Sequence, residues 1–124
     1  MIYLLDLNFT LVTNSTIKLS PFARQIAQEE YNAWLVEFLK GKRVFLLTAR
    51  PEKYRDATLE RIKAKTGLVI EQAFFNSYGM PPPQAKEQML LQHILPTEKG
   101  PFYGIESNPG TRGMYASHGI DSAT

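Results

Sequence analysis

The chain has 124 residues, with fourteen Lys and Arg against twelve Asp and Glu, for a formal charge of +2. That length fits one domain with one real core, residues 1–124, and so mild a charge does not by itself mark a nucleic-acid protein. With no cysteine and two histidines, the chain is excluded from disulfides, thiolate metal sites, cysteine nucleophiles and multi-histidine zinc sites.

The elements follow in chain order. Residues 2–6 (IYLLD) read as a buried strand, because four apolar residues stand together and end on an acid. The loop NFTLVTNSTIKLS follows. Ser20 as N-cap and Pro21 at the first helical position open a helix. Its apolar positions, from Phe22 through Trp34, Leu35, Phe38 and Leu39, keep helical spacing up to Gly41. Residues 43–48 (RVFLLT) are a second buried strand. Pro51 opens a second helix that Gly67 closes, and residues 73–76 are a weaker third strand. Three prolines precede a helix over 84–95, residues 102–106 (FYGIE) are a fourth strand, and Pro109 opens a last short helix. Trp34 and Phe38 read as core. No apolar run nears the ~20 residues that a bilayer span requires. The opening apolar run stops at Asp6, too short for a signal peptide. The expectation is a cytoplasmic protein with no membrane contact.

Strands alternating with helices predict a three-layer α/β/α sandwich around a central parallel sheet. In such sheets chemistry gathers at the carboxyl ends of the strands. Asp6 and Asn8 stand after the first strand, Thr48 and Arg50 after the second, and Glu106, Ser107 and Asn108 after the fourth, with Lys86 early in the third helix. This set suits phosphoryl chemistry. A carboxylate can attack phosphorus. A hydroxyl and a lysine can hold phosphate oxygens. Two acids can share a magnesium ion.

Here the chain resembles the haloacid dehalogenase-like superfamily of phosphatases. The resemblance runs over nearly the whole length, through Asp6-Leu7-Asn8-Phe9-Thr10, Leu46-Leu47-Thr48-Ala49-Arg50-Pro51, Lys86, and Gly104-Ile105-Glu106-Ser107-Asn108-Pro109. The stretches TARPEKYRDATLERI and IESNPGTRGMYASHGI are also similar to polynucleotide kinase/phosphatase phosphatase domains. The resemblance implies a Rossmann-like core and Mg²⁺-dependent phosphomonoester hydrolysis through an Asp6 aspartyl-phosphate. Asp6 would be nucleophile and metal ligand, and Asn8 would lend its carbonyl to the metal. Thr10, Thr48, Ala49, Arg50 and Lys86 would bind the phosphoryl group. Glu106 and Ser107 would complete the metal site.

Two positions depart from the family pattern. Asn8 stands where phosphatases of the group carry the Asp that protonates the leaving group, and loss of such an acid costs about 10²–10⁴ in rate. Ser107 stands where members reading Glu-Asp place a metal carboxylate. The expected activity is therefore weak or altered, with a catalytically silent binding or regulatory protein as the alternative. A receiver domain is disfavoured, because the third strand ends Phe75-Asn76-Ser77 without an acid.

Neither NFTLVTNSTIKLS nor SYGMPPP is long enough to insert a cap domain. By the resemblance, an open site suits a large phosphorylated partner, a nucleic-acid end or a phosphoprotein, or cover by oligomerisation. The family's last strand is nearly absent from the terminal GIDSAT, so the sheet edge is expected to be short or completed by a partner.

Overall fold

The computed structural model describes residues 1–124. Five parallel strands form one sheet in the order β3-β2-β1-β4-β5. They are β1 (Ile2–Leu5), β2 (Arg43–Pro51), β3 (Gln72–Asn76), β4 (Phe102–Ile105) and β5 (Asp121–Ala123). The helices are α1 (Phe22–Ala27), α2 (Ala33–Leu39), α3 (Arg55–Thr66), α4 (Pro82–Met89) and α5 (Pro109–Ser117). A 3-10 turn at Glu52–Tyr54 leads into α3, and a wider π turn at Leu90–Ile94 extends α4.

The strands are apolar on both faces because both faces are covered. Leu5, Val44 and Leu46 meet Leu35, Leu39 and Ile62 of α2 and α3 on one side. Ile2, Leu4, Phe45 and Leu47 meet Ala85, Met89, Ile94 and Tyr115 on the other. The result is a Rossmann-like α/β fold with a layer of helices on each side of the sheet. Gly104 is needed where β4 passes α5, since a Cβ there would lie 2.8 Å from the Tyr115 ring.

The helix expected to run from Ser20 to Gly41 is two helices. Pro21, not Ser20, occupies the cap of α1, after a cis Ser20-Pro21 bond, and no side chain caps it. Residues 28–32 leave the helix because the loop after β1 binds them. Asn14 Nδ2 donates to the Gln28 carbonyl at 2.9 Å, and Asn14 Oδ1 accepts from the Glu30 N–H at 2.9 Å. Asn32 then caps α2 by accepting from the Leu35 N–H. Trp34 is 73% exposed and stacks on Phe38 at the surface, so it is not core. The terminal residues do form a strand, β5, which extends β4 in parallel by three residues.

Chain order decides where the site falls. From β1 the sheet grows outward through β2 and β3, then returns to the opposite side of β1 with β4. A crevice opens at such a reversal, beyond the carboxyl ends of β1 and β4. Leu5 pairs with Ile105, so Asp6 and Glu106, one residue further along each strand, emerge side by side. On the other flank the β2–β3 register shifts between Leu47 and Pro51, which takes residues 48–50 out of the regular ladder. No helix is long and apolar enough to cross a membrane.

Candidate active site

Asp6, Asn8, Phe9, Thr48, Ala49, Pro82, Lys86, Glu106, Ser107 and Asn108 line a cavity of about 220 Å³ at these strand ends. Lys86 on α4 is buried, and its Nζ lies 2.7 Å from Asp6 Oδ1 and 2.6 Å from Glu106 Oε1. One ammonium thus bridges two buried carboxylates. The other Asp6 oxygen, Oδ2, accepts from Thr10 Oγ1 at 2.7 Å and from Ser107 Oγ at 3.1 Å. Burial opposes the charged form of Asp6. The Lys86 charge and the hydrogen bonds around the carboxyl outweigh it and hold Asp6 below the ordinary carboxylate range. Glu106 moves the other way. Burial, with the neighbouring Asp6, pushes it up to about 7 against the attraction of Lys86.

The loop after β1 is held by its own polar groups. The Val12 N–H returns to the Leu7 carbonyl at 2.9 Å, and Ser15 Oγ accepts from the Phe9 N–H at 2.8 Å. Phe9 sits in the left-handed region at φ 61, an unfavourable place for a side chain with a Cβ. On β2, Thr48 Oγ1 accepts from the Arg50 N–H at 3.1 Å, which leaves its own proton free for the cavity.

Arg50 does not reach the cavity, contrary to the expectation that it meets a substrate phosphate. It is buried beneath the loop. Nη1 donates to Glu29 Oε1 and to Thr58 Oγ1, each at 2.9 Å, Nη2 donates to Glu29 Oε2, and Nη2 also reaches Asn8 Oδ1 at 2.9 Å. The Glu29 carboxylate matches the guanidinium fork, and burial makes any other orientation costly. Since Arg50 can only donate, Asn8 must turn its oxygen toward Arg50 and its NH₂ away.

Glu106 was expected at the metal. Its Oε1 accepts from Lys86 and its Oε2 accepts from the Asn108 N–H at 3.2 Å, so both oxygens are already engaged. No cluster of three acids or histidines is present. Beside the Asp6 carboxylate stands the neutral Ser107 hydroxyl, 3.1 Å from Oδ2, and the resemblance adds the Asn8 main-chain carbonyl. Magnesium accepts such a set because it keeps several waters, but the low ligand charge fits weak binding.

Three supporting residues gave no usable signal in the sequence. Glu29 stands beside Glu30, outside every motif singled out in the sequence. Arg112 donates to the Glu106 and Ser107 carbonyls at 3.0 and 2.9 Å, fixing the turn that carries them. The Tyr115 hydroxyl is held well above its usual range by burial, with Glu106 and Asp6 adding to the effect.

Neither a family model nor a curated protein matches the sequence. Solved structures do share the fold. A chain of the Pnkp1/Rnl/Hen1 RNA repair complex superposes with a TM-score of 0.81 at 19% identity, over 99% of this chain and 41% of the other. A second Pnkp1/Rnl/Hen1 complex superposes with a TM-score of 0.78, again at 19% identity, over 99% and 45%. This chain therefore spans less than half the length of those chains.

Proposed function

We propose that the cavity is a phosphate-monoester site of the haloacid dehalogenase type, working through Asp6 on a large phosphorylated substrate. The observation that carries this reading is the Lys86 ammonium at 2.7 Å from Asp6 Oδ1, in a cavity that Thr48 also lines. Lys86 and the hydroxyls of Thr10 and Ser107 keep Asp6 ionised and aimed. The Asn8 NH₂, the Thr48 hydroxyl and the Lys86 ammonium are the donors that would hold phosphate oxygens. When bound by Asp6, the Asn8 carbonyl and Ser107, Mg²⁺ would supply charge neutralisation of the phosphoryl group.

An Asp6 oxygen attacks phosphorus, and the bond from phosphorus to the ester oxygen breaks. The departing oxygen must take its proton from water, because the Asn8 amide has none to give. Water then attacks the phosphorus of the aspartyl-phosphate. The phosphorus–Asp6 bond breaks, a proton goes to solvent, and the carboxylate is regenerated. Both steps lack a general acid–base at position 8, so turnover is slow. The likeness to chains from RNA repair complexes supports a nucleic-acid or other macromolecular partner, as does a site with no inserted cap.

The test is acid-quenched intact-mass spectrometry after incubation with an aryl phosphate and Mg²⁺. One phosphoryl group on the wild type and none on Asp6→Asn is expected; an unmodified wild type overturns the covalent route. A second reading, phosphate binding without turnover, rests on Ser107 Oγ occupying the side of Asp6 where the family pattern has an acid. Saturable phosphate binding with no phosphoryl-enzyme would favour it.

A further inference from the structure

We propose that Phe9 is a stacking platform for the terminal base of a nucleic-acid end, so that the cavity selects nucleotides over phosphorylated peptides. This deepens the phosphate-site reading and rests on it. Phe9 lines the same cavity as Asp6, Thr48 and Lys86, yet 61% of it is open to solvent. It adds nothing to either apolar core. Its backbone is left-handed at φ 61, where glycine would sit without strain. A large apolar side chain is thus kept at the rim of a polar pocket, against both exposure and backbone preference, the combination expected where a side chain serves a ligand.

The Lys18 ammonium stands 5.6 Å from the centre of the Phe9 ring. It stands over the ring and carries a positive charge beside it, which an adjoining phosphate would meet. An aromatic face beside a cation, next to a phosphate pocket, suits a nucleotide: the phosphate enters toward Asp6, the base stacks on Phe9, and the adjoining phosphodiester meets Lys18. A phosphoserine peptide offers neither a π-face nor a second regular anion.

NMR titrations compare adenosine 3′-monophosphate, inorganic phosphate and a phosphoserine peptide, with Mg²⁺ omitted so that binding is read without turnover. The wild type is expected to bind the nucleotide about tenfold or more tightly than inorganic phosphate. Phe9→Gly, which the loop geometry accepts, should bring that ratio to near one, and Phe9→Tyr should keep it. A wild-type ratio near one, a ratio unchanged in Phe9→Gly, or a phosphopeptide bound as tightly as the nucleotide overturns the stacking proposal while phosphate binding stands. Phe9-dependent nucleotide binding without any binding of inorganic phosphate leaves the stacking role standing and overturns the phosphate pocket. Binding of none of the three overturns both.

Discussion

Arg50 donates across 2.9 Å to the side-chain oxygen of Asn8, joining a buried ion pair to the edge of the candidate active site. The contact decides what a restored acid at position 8 can do. Asn8→Asp would place a carboxylate against a guanidinium, which lowers its pKa and leaves little of it protonated to serve as a proton donor. We expect a gain in aryl-phosphate turnover below the roughly 10²–10⁴ that a free general acid supplies. Steady-state kcat checks it, and a gain at the top of that range would mean that Arg50 releases the new carboxylate.

Removing the bridging cation should be costly. In Lys86→Met, Asp6 and Glu106 face each other buried and uncompensated, and loss of one partner of a buried pair costs about 3–5 kcal/mol. Urea unfolding at neutral pH should show a loss of that order. The loss should shrink in acid, where the two carboxyls take up a proton.

Glu106 makes stability depend on pH in an unusual direction. Its folded-state pKa is about 7 against 4.5 for the ordinary group, so between these values the folded form holds the extra proton. Stability contributed by Glu106 therefore falls as pH rises from about 4.5 to about 7. Asp6, with a lowered value, contributes stability that is present above the ordinary carboxylate range and is lost at lower pH. Unfolding midpoints at about pH 5 and about pH 8 should differ less in Glu106→Gln than in the wild type. An identical difference in the two proteins would exclude Glu106 as the source.

Ser107 should limit metal affinity. Ser107→Asp sets a second carboxylate next to Asp6 Oδ2, and hard-cation affinity rises with ligand charge. Without metal the two acids repel, so the variant should melt lower than the wild type. Added Mg²⁺ should reverse this, with apparent affinity higher by about tenfold. A melting temperature indifferent to Mg²⁺ in both proteins would place the metal elsewhere or nowhere.

Glu29 is expected to act at a distance. Glu29→Gln leaves Arg50 buried without its counter-charge, at a cost of about 3–5 kcal/mol, and loosens the Asn8 side chain that Arg50 orients. Thermal melting reads the first effect, and the Asn8 amide NMR signals read the second. A variant as stable as the wild type would show that the pair contributes little.

The amino-acid sequence alone determined four of the five strands, the alternation with helices, and the strand-end positions of Asp6 and Glu106, because apolar runs and glycine or proline stops are local signals; β2 runs past Thr48 to Pro51, and β5 was not expected. The family resemblance singled out Asn8, Ala49, Lys86 and Ser107, and the fold places all four on the wall of one cavity. Only the tertiary structure decided the break between α1 and α2, which depends on Asn14 binding a segment 14–16 residues away. The same holds for Arg50. A strand-end arginine looks like a phosphate ligand until Glu29, 21 residues upstream, is seen to fold beneath it. Exposure was equally hidden: helical spacing placed Trp34 on the apolar stripe, yet it is 73% exposed and stacks on Phe38 at the surface, while Leu35 and Val36 beside it are buried. Local propensity is written in neighbouring residues, whereas the partner of a buried charge is chosen by which distant segments the sheet order brings together.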